Sequence, residues 1–252
     1  MAHLHEISVP DFIRELDACF ERNDMKAARA CLTKWEEQAR TLQDDRGLLT
    51  VLNEGVGYYR RVKKKTRAME AMEESLQLVE KLGIGNTVSG ATVFINAATT
   101  QSFFGEEREA IGLYDQAEQC FLQAGKRATY EYAALLNNRA ATYSELGELT
   151  HAERDFLGAI AVLKTVGHHT GEIAVSLVQL AHLTYERDDT ATEQVEELLD
   201  EAWEYINSPD QERNGNYAYV LRKCAPSYDY FKRPDEAQAL RDVANEIYYG
   251  KD

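Results

Sequence analysis

The stretch "LLNNRAATYSELGELTHAERDFLGAIAVLKTVG", residues 135–167, reads as two amphipathic helices joined by a tight turn. Leu136, Ala140 and Tyr143 stand at i, i+4 and i+7, one apolar stripe on a first helix. Gly147 followed by "ELTHAE" ends that helix and starts a second, along which Ala152, Phe156, Ala159 and Leu163 share a face. Gly167 closes the second helix. The smallest residues carry the information. Antiparallel helices approach to about 8 Å only where small side chains meet at the crossing. Ala152 and Ala159, two turns apart, leave that room. Gly147 and Gly167 give helix ends the left-handed backbone that other residues resist.

This unit recurs. Setting residues 91–125 above 133–167, a shift of 42, gives ten identities in 35 positions without a gap, among them Asn96/Asn138, Ala98/Ala140, Gly105/Gly147, Ala110/Ala152, Ala117/Ala159 and Gly125/Gly167. Average composition would give roughly two. The same period places Ala68, Ser75 and Gly83 in frame upstream and Tyr185 downstream, and two periods on Ala225, Tyr228, Ala237 and Ala244 repeat the spacing. Leu16, Ala28 and Trp35 fit with a shorter linker. A fixed period of this length predicts a solenoid of helix hairpins in one domain over 1–252. Its six units fall at about 10–43, 47–84, 88–126, 130–168, 172–207 and 214–249.

Composition agrees. The 252 residues contain four prolines and a 44% hydrophobic fraction, enough for a packed helical core. With 28 basic against 43 acidic side chains the net charge is −15, which repels nucleic-acid phosphates and anionic lipid. Cys19, Cys31, Cys120 and Cys224 form no CxxC pair and there is no His cluster, so buried free thiols are expected and no metal site or cofactor. "MAHLHEISVPDF" lacks a basic start and an apolar core, and no run of about 18 apolar residues follows, so a cytoplasmic protein is expected.

The pattern A-x-L-L-N-N-R-A-A-x-Y-x-E-L-G-E-x-x-x-A-E-x-x-F-x-x-A-I at 133–160 resembles the tetratricopeptide repeat (TPR) family, in the longer-period variety of kinesin light chains and many bacterial proteins. The family's small first-helix residue matches Ala98, Ala140 and Ala225, and its aromatic one turn later matches Tyr59, Tyr143, Tyr185 and Tyr228. Lys63 and Lys232 depart from it by standing where the turn glycine belongs. Gln101 replaces the aromatic, Asp189 occupies the turn of unit five, and Pro226 lies inside a first helix. The resemblance implies an all-α, right-handed superhelical solenoid and a concave groove, formed by the first helices, that holds a peptide or a partner protein.

If Leu136, Ala140 and Tyr143 face inward, the groove side of unit four carries Asn137, Asn138, Ala141 and Ser144. Unit three offers Asn96, Thr99 and Ser102; unit two Asn53, Gly57, Arg60 and Arg61; unit six Arg222 and Lys223. An asparagine amide both donates and accepts, which suits an extended peptide backbone, and suits equally a bond to a neighbouring helix. Arg60 and Arg61 open the basic run "RRVKKKTR" (60–67), fit for a ligand carboxylate or for a solvated helix end. The acidic stretch 186–204 is its opposite pole and admits head-to-tail self-association. Tyr217, Tyr219, Tyr228, Tyr230, Phe231, Tyr248 and Tyr249 suit either an interface or a terminal cap.

No catalytic constellation is present in the sequence. His168 and His169 lie at a helix-ending turn, and "GIGNTVSG" (83–90) follows a helix where a dinucleotide loop follows a strand. The expected function is a protein- or peptide-binding scaffold and not an enzyme. The alternative is a peptide-sensing regulatory domain that changes superhelical shape on binding.

Overall fold

A computed structural model describes residues 6–209 and 212–250; the reading of the first residues as lacking a leader falls partly on 1–5, outside them. Twelve helices and no strand occur among the described residues. They are α1 (Val9–Glu21), α2 (Met25–Leu42), α3 (Asp45–Arg61), α4 (Lys65–Lys81), α5 (Val88–Phe103), α6 (Glu107–Gln123), α7 (Tyr130–Glu145), α8 (Leu149–Val166), α9 (Thr170–Arg187), α10 (Thr192–Ile206), α11 (Gly215–Tyr230) and α12 (Pro234–Tyr249). Successive pairs pack as hairpins. The contacts gather into two compact units, Met1–Gly125 with three hairpins and Lys126–Asp252 with three. In the first unit α3 also packs on α1 and α5; in the second α9 packs on α7 and α11, so first helices lie beside first helices.

One turn builds five of the six hairpins. In each, a single left-handed residue follows the first helix: Asn23 (φ 53°), Lys63 (56°), Gly105 (86°), Gly147 (71°) and Lys232 (64°). The next amide then reaches back to a carbonyl five residues earlier, as in Lys64 N–H to Tyr59 O at 2.9 Å and Glu148 N–H to Tyr143 O at 2.9 Å. That closure satisfies a carbonyl the helix end would leave bare. The two lysines that replace the turn glycine therefore adopt the glycine's backbone at a steric cost. Unit five is different: Asp188 is extended, and the chain makes a longer turn before α10. Five of the six first helices start on side-chain caps, α9 being the exception; among them Gly47 N–H donates to Asp44, Gly90 N–H to Thr87, Tyr132 N–H to Thr129 and Tyr217 N–H to Asn214. Asp44 also accepts from Ile7 N–H at 2.9 Å, tying the segment before α1 to the start of α3.

The repeating alanines are the seams. Ala68, Ala98, Ala110, Ala117, Ala140, Ala152, Ala159, Ala237 and Ala244 are all 0% exposed. How little slack the hairpins have is visible at the glycines. A methyl at Gly158 on α8 would lie 3.2 Å from Leu136 Cδ1 on α7, and one at Gly171 on α9 would lie 3.0 Å from Val220 Cγ2 on α11. The α7–α8 hairpin also holds a charge pair that the sequence pattern did not reveal. Arg139 donates from Nε to Asp155 Oδ2 at 2.6 Å, and both side chains are 3% exposed. Helix α11 runs through Pro226, whose ring faces outward. All four cysteines are free and buried, with burial and nearby Glu15 pushing the Cys31 thiol up to about 11.

Candidate binding groove

The side chains expected to line a groove fall into two classes, and the division follows the two units. In the first unit they bond to each other. Asn96 donates from its amide to Asn53 Oδ1 at 3.0 Å, joining α5 to α3. Arg60 crosses the same seam, donating to Thr100 Oγ1 at 2.9 Å and to Asn96 O at 3.4 Å. Burial pulls the Arg60 guanidinium below its ordinary pKa, and no carboxylate among the described residues pairs with it. Thr99 donates to Ile95 O at 2.7 Å and meets the Tyr114 hydroxyl at 3.0 Å. Arg61 is exposed and sits over the Phe20 ring, 5.5 Å from its centroid. These polar groups stitch α1, α3, α5 and α6 together.

The second unit keeps a hollow. A cavity of about 320 Å³ lies among its three first helices. Helix α7 presents Tyr130, Ala134, Asn137, Asn138 and Ala141; α9 presents Glu172, Val175, Ser176 and Gln179; α11 presents Asn216, Tyr219, Val220 and Lys223. On α9 and α11 these positions fall at i, i+3, i+4 and i+7, one face of each helix. Phe156 and Leu163 of α8, buried at 2% and 1% exposure, lie beneath the cavity and close it with an apolar floor. The small side chains Ala134 and Ala141 keep it open.

Its polar groups are partly engaged and partly available. Asn137 Oδ1 accepts from the Ser176 hydroxyl at 2.8 Å, binding α7 to α9 and leaving the Asn137 amide donors toward the cavity. The side chains of Asn138, Gln179, Asn216 and Lys223 line the cavity, and the structure gives none of them a hydrogen bond or ion pair among the described residues. Tyr130 stacks on the His169 ring, 4.5 Å between centroids, at one wall, and burial with nearby Glu172 raises its hydroxyl above the ordinary tyrosine value. Tyr219, 59% exposed, forms part of the opposite wall. Ser144 is half-buried near the end of α7 and does not line the cavity. Arg222 turns to its own hairpin, donating to Asn245 Oδ1 at 3.0 Å with its guanidinium 4.6 Å from the Tyr248 centroid.

Gln179, Ser176 and Asn216 were not singled out from the sequence. A signal for one existed: the shift of 42 that puts Tyr185 under Tyr143 also puts Gln179 under Asn137. The shift that puts Ala225 under Ala140 puts Lys223 under Asn138. The floor residues gave no such signal, because Phe156 and Leu163 read as plain core.

No family model matches this chain, and no curated protein matches it. Solved structures do. A Podosopora anserina protein of kinesin light chain type with nearly identical TPR-like repeats superposes with a TM-score of 0.59 at 17% identity, over 79% of this chain and 94% of that one. The fold is tetratricopeptide-like. The quorum sensor NprR from B. thuringiensis, in its apo form, gives 0.64 at 12% identity over 96% of this chain and 65% of that one. A Rap protein complexed with Competence and Sporulation Factor gives 0.58 at 14% over 95% and 76%. Among the described residues no cluster of His, Cys, Asp and Glu is arranged to hold a metal ion, and no helix is long and apolar enough to cross a membrane.

Proposed function

We propose that the protein binds an extended peptide, free or as a segment of a partner protein, in the cavity among α7, α9 and α11. The observation that carries this reading is the hollow itself: three parallel helix faces with an apolar floor and amide side chains that have no internal partner. Asn138 and Gln179 are half-buried and Asn216 is exposed, so water meets these amides in the free protein and a ligand can replace it without breaking an internal bond. Amides match the N–H and C=O groups of an extended backbone, and the floor takes a side chain. Because the groove is preformed, the ligand alone bears most of the ordering cost.

Two fold neighbours support a binding role, one being described as a quorum sensor and one as complexed with Competence and Sporulation Factor. The first also favours the second reading, a peptide-sensing regulator whose helical repeat changes shape on binding. The two separate by small-angle scattering: a sensor changes its radius of gyration with ligand, a scaffold does not. The binding reading is tested by filling the groove. Ala141 is exposed and lines the cavity, so Ala141→Leu blocks the site and leaves the fold intact. Peptides retained by the wild-type protein from native extract should be lost by Ala141→Leu at unchanged melting temperature. Equal retention by both proteins refutes the site.

A further inference from the structure

We propose that this cavity selects a peptide that presents an apolar side chain and a carboxylate on one face of an extended backbone, the first entering above Phe156 and Leu163 and the second meeting Lys223. The inference rests on the peptide-binding reading and adds the chemistry of the ligand to it.

Among the described residues, Lys223 is the only cation that lines the cavity. Half of the described arginines and lysines of its unit are held in ion pairs: Arg139 and Arg154 with Asp155, Lys164 with Glu201, Arg187 with Glu153, Arg233 with Asp200, Arg241 with Asp229. In a chain of net charge −15, carboxylates are abundant, yet none lies within ion-pair distance of Lys223 among the described residues. The one acidic lining residue, Glu172, stands on the side of Tyr130 and His169, its Oε2 4.0 Å from the His169 ring. An ammonium held at a cavity edge without a protein anion is complementary to a ligand anion.

The apolar requirement comes from size and floor. A volume of about 320 Å³ is at the low end for ligand sites, enough for one large side chain with its backbone and too small for a folded surface. Alternate side chains of an extended peptide point the same way, so two groups that both face the groove are separated by an odd number of residues, the shortest spacing being one. The amides Asn138 and Gln179 line the same cavity and suit a peptide group of the ligand.

The test uses the full chain and capped heptapeptides. The parent is acetyl-Gly-Gly-Leu-Gly-Asp-Gly-Gly-amide; in the others Leu becomes Ser, Asp becomes Asn or Lys, or the chain ends one residue after Leu in a free carboxylate. Binding is read from backbone-amide NMR shifts. Burying the leucine should make the Ser peptide at least about tenfold weaker. Because Lys223 is exposed, the Asn peptide should be weaker by about two- to fivefold. Lys223→Glu should abolish the preference for Asp and transfer it to Lys, with shifts confined to α7, α9 and α11. The free-carboxylate peptide tells whether a side-chain or terminal carboxylate is taken. Equal binding of Asp and Asn peptides, or a preference that survives Lys223→Glu, overturns the proposal. If the heptapeptides fail while extract-derived peptides still bind in an Ala141→Leu-sensitive way, the selectivity falls and the peptide site stands. If neither binds, both fall.

Discussion

Replacing Ala159 with leucine tests the physical basis of the repeat. Ala159 is 0% exposed on the face of α8 that also carries Ala152, Phe156 and Leu163. Leucine adds three carbons beyond Cβ at that seam. The clearance nearby is small: one residue earlier, a methyl on Gly158 would already stand 3.2 Å from Leu136 Cδ1, tighter than ordinary van der Waals contact. Helices cannot absorb the extra volume without moving apart and losing contacts along the whole seam, so the cost should be about 1–3 kcal/mol. For a chain of this size, that lowers the melting temperature by roughly 2–12 °C. Ala161, exposed on the same helix, is the internal control, because Ala161→Leu changes helix propensity equally and should stay within about 0.5 kcal/mol of wild type. Urea unfolding followed by circular dichroism measures both. If Ala159→Leu is no more destabilising than Ala161→Leu, small side chains are not what permits the close approach.

Other substitutions separate bonding from binding. Arg139→Met strands Asp155 in the core with only the half-exposed Arg154 beside it, and should cost about 3–5 kcal/mol in urea unfolding; adding Asp155→Leu should recover most of that. Asn96→Ala removes the amide bond to Asn53 and should cost about 1 kcal/mol, whereas Asn138→Ala should leave stability within about 0.5 kcal/mol and weaken ligand binding. Lys63→Gly relieves a left-handed lysine at φ 56° and should stabilise slightly, by up to about 1 kcal/mol, after the entropy glycine adds to the unfolded chain. His182, held by Ser227 at 2.9 Å among Tyr230 and Phe231, has its pKa lowered by burial. The folded state then resists protonation more than the unfolded state, so its contribution is complete above the ordinary histidine value near 6.5 and is lost as pH falls below it. His182→Gln should flatten the stability-versus-pH curve in that window.

The fold was legible because its determinants are local and periodic. Gly105, Gly147 and the alanines of α6 and α8 repeat at equal spacing, and each is what a tight turn or a close crossing requires. Lys63 and Lys232 look like exceptions in the sequence, yet their backbones match the glycines, since position in the hairpin outweighs residue preference. The groove was legible only in part. A repeat fixes which face an asparagine occupies, but not whether its neighbour has a complementary group. Asn53 and Asn96 share a face with each other across a seam and bond; Asn138 has no such partner. Asn96 stands 43 residues beyond Asn53, and the position 43 beyond Asn138 is Ala181, which carries no polar group to meet it. The Arg139–Asp155 pair was invisible for the same reason, being a contact between helices and not along one.

The central claim is that a ligand lies among α7, α9 and α11, and covalent capture in the native cell tests it most directly. A photoreactive phenylalanine analogue at Tyr219, on the cavity wall, is compared with the same group at Tyr249, 75% exposed on α12. The prediction is a peptide adduct at 219 that disappears when Ala141→Leu fills the groove and that is absent at 249. No adduct at 219, or equal adducts at both positions irrespective of Ala141→Leu, would contradict it.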